Sequence, residues 1–218
     1  MQFLDLVPPL LAGMVTTIKV TFFASILAAI MAFVAGWGRV SKLKPLQVVS
    51  TIYIEFFRGT SVLVQLFWLF FALPAFGIEL TPFLAAVVGL GLNIGAYGAE
   101  VFRGAVSTIP KGQHEAAAAL SMNRVQTMGL IIVPQALVGM MPPFTNLLIE
   151  LLKGTSLVSL ITLTDLTFQG QLLRSATLRT GEIFVLLLVL YFAIAMVIST
   201  AMKWLERRLS YGLDRGGV

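Results

Sequence analysis

The sequence predicts an all-α integral membrane protein with about five transmembrane helices. Three observations predict it. Hydrophobic residues make up 58% of the 218 positions and charged residues only 11%, against about 25% charged in soluble domains. The apolar residues fall in runs long enough to cross a bilayer, which takes about 20 residues per helix. The basic residues collect between and after these runs rather than inside them. With no cysteine present, disulfides, zinc thiolates and thiol catalysis are excluded.

The elements follow in order. The opening MQFLDLVPPLLAG carries Asp5 and lacks a basic n-region, so it does not read as a cleavable signal. Pro8 and Pro9 are expected to resist a regular helix there and leave a short interfacial piece. The first span is Val20 to Trp37, followed by RVSKLKP with Arg39, Lys42 and Lys44. A half-polar approach, IYIEFFRGT, leads into a second span, Ser61 to Phe76. The short GIELTP turn gives way to a third span, about Pro82 to Phe102. A polar stretch comes next, then a fourth span from about Gly129 to Leu152. The segment Gly154 to Gly181 is too broken for a simple span, and the fifth runs from about Ile183 to Lys203.

Charge and parity agree on orientation. With five spans, RVSKLKP, the polar stretch and the tail share one side. Together they hold Arg39, Lys42, Lys44, Arg103, Lys111, Arg124, Lys203, Arg207, Arg208 and Arg215, ten of the 15 basic residues. The positive-inside bias then predicts an outside N-terminus and an inside C-terminus. Net charge is +5, but in this setting it marks cytoplasmic loops and does not imply nucleic acid.

The polar stretch is AYGAEVFRGAVSTIPKGQHEAAAALSMNRVQTMGLIIVP, Ala96 to Pro134. Pro110 with Lys-Gly-Gln reads as a stop and turn. His114 to Leu120 is rich in helix formers. Ser121 with Asn123 breaks that helix and can cap the next one. A polar helix-turn-helix between two spans reads as a docking handle or, more simply, as a structured cytoplasmic loop. His114, the single histidine, is expected to be a solvated loop residue.

Ionisable and amide groups at membrane depth point to a cavity or a partner. Glu55 with Arg58, Glu100 with Arg103, and Glu150 with Lys153 share the i, i+3 spacing that puts two side chains on one helix face. The first two pairs read as structural ion pairs. Asn146, Glu150 and Lys153 form one stripe beside Pro142-Pro143, which should kink the helix or free carbonyls. Asn93, about 16 Å along the third span, is flanked by Gly89, Gly91 and Gly95, with Tyr97 one turn on. Asn93, Tyr97, Asn146 and Glu150 are therefore candidates to line a solute pathway. Glu150 would suit the cationic end of a zwitterion, unless Lys153 neutralises it. Asp165 would line the outer mouth or cap a helix.

Embedded enzymes need clusters such as HExxH or a Ser-His pair, and one histidine cannot supply them. The chain also has no GxxxxGK[ST] phosphate loop. An autonomous carrier or channel for small polar solutes is the alternative to a driven pore.

Glu115-Ala116-Ala117, Ser121, Ile131, Val133 and Pro134 resemble the EAA loop of ATP-binding-cassette importer permeases. That pattern runs Glu-Ala-Ala, three residues, Gly, nine residues, Ile, one residue, Leu-Pro. Ser121 replaces its glycine and Val133 its leucine. EFFRGTSVLVQLFW, GAYGAEVFRGAVSTIPKGQHEAA and LLKGTSLVSLI resemble the polar amino acid branch (histidine, glutamine and opine permeases). The resemblance implies a type I importer permease fold in one transmembrane domain over residues 1–218, with residues 104–128 as the cytoplasmic coupling loop. It implies ATPase contacts through Glu115, Ala116, Ala117 and Ser121. It also implies a second permease subunit (like or unlike), two ATPase subunits and an extracytoplasmic binding protein. No cofactor would be bound by this chain, with ATP and Mg on the ATPase. The setting would be a bacterial inner membrane, and the solute a polar amino acid or a related zwitterion, ectoine-type solutes included.

Overall fold

A computed structural model describes residues 6–210. Asp5, used above for the signal reading, and Arg215, used for orientation, lie outside the described residues. The described chain is helical throughout: α1 (Val7–Val40), α2 (Lys44–Gly59), α3 (Val62–Phe67), α4 (Pro82–Thr108), α5 (Lys111–Ala119), α6 (Arg124–Gln126), α7 (Val133–Gly154), α8 (Leu166–Thr177) and α9 (Thr180–Ser210). Short π and 3-10 turns extend α3 to Phe76, join α6 to α7, and follow α7 as far as Ile161.

Four helices are long and apolar enough to cross a membrane: α1, α4, the run Arg124–Ile161, and α9. The fifth span is a broken one, Lys44–Gly59 plus Val62–Phe76, bent by 102°. Length and order thus match the five expected spans. One boundary differs. Pro8 and Pro9 do not interrupt the first helix but sit in its first turn. There the missing N–H groups have no helical acceptor to lose, and the fixed φ already suits a helix. α1 is consequently 34 residues long, or about 51 Å.

The core is a seam between α1 and α4 built on small residues. Ala24, Ala28, Ala32 and Ala35 of α1 are buried, as are Gly91, Gly95 and Gly98 of α4. The contact is close enough that a Cβ at Gly98 would lie 2.7 Å from the Ala32 Cβ, and one at Gly95 2.7 Å from the Met31 Cβ. Hydrocarbon gives no hydrophobic drive between helices, so close backbone approach of this kind is what holds spans together. Phe102 seals the far end against Phe33 in an edge-to-face contact, ring centroids 5.6 Å apart.

The other end is closed by a buried polar node. Asp165 is fully buried and caps α8, accepting from the Phe168 N–H at 2.9 Å and the Thr167 N–H at 3.2 Å. The Thr17 hydroxyl of α1 accepts from the Leu166 N–H at 3.1 Å. Of the two roles open to Asp165, the structure shows the cap. Burial pushes its carboxyl up to about 6, against the lowering effect of those backbone donors.

α7 runs unbroken through Pro142 and Pro143. Of the two expected outcomes, a kink or freed carbonyls, the freed carbonyls follow from the helical setting of the two prolines. The prolines have no N–H to give the carbonyls of Val138 and Gly139.

Candidate functional site: a coupling loop and a polar break

The loop between α4 and α7 folds as a compact helix-turn-helix. α5 ends in two interlocked backbone bonds, Met122 N–H to the Ala117 carbonyl at 3.0 Å and Ser121 N–H to the Ala118 carbonyl at 2.9 Å. This is a Schellman turn, whose residue after the cap takes a left-handed conformation and is usually glycine. Ser121 occupies that place at φ 56°. The glycine of the EAA pattern therefore has a steric reason, and serine bears the cost here. Ser121→Gly is expected to stabilise the turn by about 0.5–1 kcal/mol, seen as a higher melting temperature of the purified chain; an unchanged or lower one would contradict it. Asn123 then opens α6 with a reciprocal capping box to Gln126, both bonds 2.9 Å. Gln135 of α7 reaches the Gln113 side chain at 3.3 Å and ties α5 back to the span.

The surface of this loop differs in part from expectation. Glu115, Ala116 and Ser121 are exposed, whereas Ala117 is fully buried within the chain itself. Three large apolar residues stand out instead: Leu120 is 73% exposed, Val125 71% and Leu130, nearer α7, 70%. Leu120 and Val125 flank the Ser121 turn. Two bulky apolar residues beside a turn, in a loop otherwise polar, were a signal present in the sequence. His114 is exposed, as expected of a loop residue.

A second polar centre lies at the break between α2 and α3. Asn93 of α4 is buried, and its amide donates to the Phe57 carbonyl at 2.9 Å and to Gln65 Oε1 at 3.2 Å. Gln65 Nε2 in turn donates to the Phe57 carbonyl at 3.0 Å and to Thr60 Oγ1 at 2.7 Å. These bonds satisfy backbone groups that the 102° bend exposes. Tyr53 adds a hydroxyl bond to the Leu92 carbonyl at 2.7 Å. Asn93 thus works as a clip, its amide hydrogens committed to the break rather than pointing into open space.

Of the three expected ion pairs, one forms. Glu100 meets Arg103 at 2.8 Å, and Arg39 of α1 lies 3.6 Å from the same carboxylate. Arg39 also donates to Thr51 of α2 at 2.7 Å, so three helices meet at Glu100. Glu55 and Arg58 form no pair among the described residues; Arg58 instead lies over the Tyr97 ring, 5.3 Å from its centroid. A face-on aromatic ring competes well with a loose i, i+3 carboxylate. Glu150 and Lys153 are likewise unpaired among the described residues and exposed, as is Asn146. An open face gives such a pair too little attraction to offset side-chain entropy. Tyr97 is half-buried, and the structure does not gather Asn93, Tyr97, Asn146 and Glu150 into one lining. A cavity of about 440 Å³ between α1, α4, α7 and the end of α9 is lined mainly by apolar side chains and includes none of the four.

The family model for binding-protein-dependent transport system inner membrane components matches residues 24–211. The chain belongs to this family. It is 45% identical over 212 residues to a probable amino-acid ABC transporter permease, y4tF, of Sinorhizobium fredii, covering 94% of this chain and 89% of that one. It is 38% identical to the glutamine transport system permease GlnP of Escherichia coli, covering 93% of this chain and 94% of the relative. The solved structure of an amino acid ABC transporter with histidines superposes with a TM-score of 0.85 at 34% identity, over 95% of this chain and 99% of that one. The fold is that of a type I importer permease. This permease is a multi-pass membrane subunit of an ABC importer, a family that works with ATPase subunits and a binding protein. Membership in the importer family favours this driven pore over the autonomous carrier or channel.

Proposed function

We propose that this permease carries a polar amino acid or a related small zwitterion across a bacterial inner membrane, with its N-terminus outside and its C-terminus inside. It pairs with a second permease subunit, rests on two ATPase subunits and takes solute from an extracytoplasmic binding protein. ATP and Mg reside on the ATPase. The single observation that carries this reading is the handle between α4 and α7, a rigid turn that presents Leu120 and Val125 with Glu115 and Ala116. Residues 104–128 form the coupling loop, in which Ala117 and Ser121 shape the contact surface. Tyr97, Asn146 and Glu150 line the solute pathway, Glu150 facing the solute's cationic end. Asn93 contributes by fixing the break beside it.

The test is co-purification and uptake. Cells expressing the chain with its partner subunits should accumulate a 14C-labelled amino-acid mixture in an ATP-dependent manner, and the detergent-solubilised chain should bring down an ATPase. Uptake that persists after ATP depletion, with no ATPase attached, would favour the autonomous carrier instead.

A further inference from the structure

Leu178 is at odds with its place. It closes α8 in a left-handed conformation, φ 58° and ψ 12°, with its N–H bonded to the Arg174 carbonyl at 2.8 Å. Glycine usually holds that position after a helix, because a bulky side chain there crowds the backbone. The leucine gains little contact within the chain, since it is 85% exposed. A single surface leucine needs no explanation, but one that also takes a glycine place is disfavoured twice. Backbone strain of this kind clusters at functional contacts. The exposed face of α8 just before it is polar. α8 buries Leu166, Gly170 and Leu173, whereas Gln171, Arg174 and Ser175 are exposed, and Arg174 forms no ion pair among the described residues. This corner stands at the opposite end of the bundle from the coupling loop. The Asp165 carbonyl lies against Gly13, and Leu173 packs in one cluster with Leu6 and Leu10, so α8 runs toward the start of α1. The coupling loop leaves α4 by the other end of α1, where Phe102 lies against Gly36 and Glu100 meets Arg39.

We propose that the corner between α8 and α9 is a docking point for the binding protein, with Leu178 as the apolar anchor and Arg174 as its charged neighbour. This rests on the import reading above and names the surface that receives the binding protein. The two partners of an importer approach from opposite faces of the membrane, and the ATPase takes the end that carries Leu120 and Val125. The surface that fits this corner is a shallow apolar dimple beside a carboxylate. Leucine fills the dimple and leaves water, and the guanidinium matches the carboxylate with two parallel N–H groups. The strained turn aims the side chain outward before the partner arrives, so little ordering is left to do on contact.

The experiment uses the whole purified importer with its co-expressed binding protein, loaded from the amino-acid mixture. Leu178→Gly relieves the backbone and removes the anchor, and Leu178→Asp replaces the anchor by a charge. The readouts are the melting temperature of the complex and the binding-protein concentration that half-maximally stimulates ATP hydrolysis, relative to each variant's own hydrolysis without it. Leu178→Gly is expected to melt no lower than wild type yet to need about tenfold more binding protein, and Leu178→Asp to need at least as much. An intact Leu178→Gly complex with a wild-type half-maximal concentration overturns the proposal, whatever Leu178→Asp does, because a charge can disturb a surface that the leucine does not bind. Where Leu178→Asp fails to assemble, Leu178→Gly decides by the same reading. Loss of the permease pair in Leu178→Gly places the second subunit on this corner and also overturns the proposal. If the wild-type complex itself shows no stimulation by the binding protein, the import reading fails instead, independently of Leu178.

Discussion

Leu120→Asp is expected to detach the ATPase from the permease while leaving the permease folded. Leu120 is 73% exposed, so its side chain contributes little to the isolated chain, and a surface substitution of this kind stays within about 0.5 kcal/mol. The backbone bonds of the Schellman turn do not involve its side chain. In the assembled importer the same side chain would be a buried apolar anchor, a class whose loss costs about 2 kcal/mol or more. A carboxylate there adds the cost of desolvating a charge. ATPase retained on the purified permease should fall at least tenfold, and ATP hydrolysis stimulated by the loaded binding protein should fall with it. Val125→Asp provides the parallel case on the other side of the turn. Undiminished co-purification in both variants would place the ATPase contact elsewhere.

The second large effect is expected at the break. Asn93→Leu keeps the volume but removes the donor to Gln65 Oε1, leaving a buried oxygen unpaired. That costs about 1–3 kcal/mol. Gln65→Leu should cost at least as much, because Gln65 Nε2 serves both the Phe57 carbonyl and Thr60 Oγ1. The double variant should depart from the sum, because Asn93→Leu orphans the Gln65 oxygen that Gln65→Leu removes, while only the double leaves the Phe57 carbonyl with neither amide donor. Melting temperatures of the four proteins in one detergent would read this out. Strict additivity would mean that the amides do not act as one clip.

The five spans and the handle were legible in the sequence because they rest on strong local signals. Apolar runs of the right length, EAAAAL between a proline and an Asn-capped turn, and clustered lysine and arginine each carry their own physics. The geometry of the break was not legible. FFRGTS shows a glycine and a helix start, but a 102° bend depends on what α4 offers in return, and that partner lies far along the chain. Asn93 was visible as an amide at membrane depth, yet depth alone does not distinguish a solute contact from a backbone clip. Spacing misled in the same way at Glu55 and Glu150. Three residues apart is a condition for an ion pair, and only at Glu100 did a third helix bring Arg39 to complete one. Pro8 and Pro9 break a helix only from its interior; in the first turn, where they sit, they are neutral.

The seam of small residues along α1 and α4 has a mechanical meaning. With no side-chain layer to shear, the two helices cannot slide, and together they behave as one stiff rod. α4 contains no proline beyond its first turn, and only Ile109 and Pro110 separate it from α5. A push on the Ser121 turn therefore has little slack to lose before it reaches Asn93. Beyond it lies the bend at Gly59, Thr60 and Ser61, where nothing crowds Gly59 but the Asn93 amide holds the Phe57 carbonyl. A push delivered at the turn would arrive at the break through that contact.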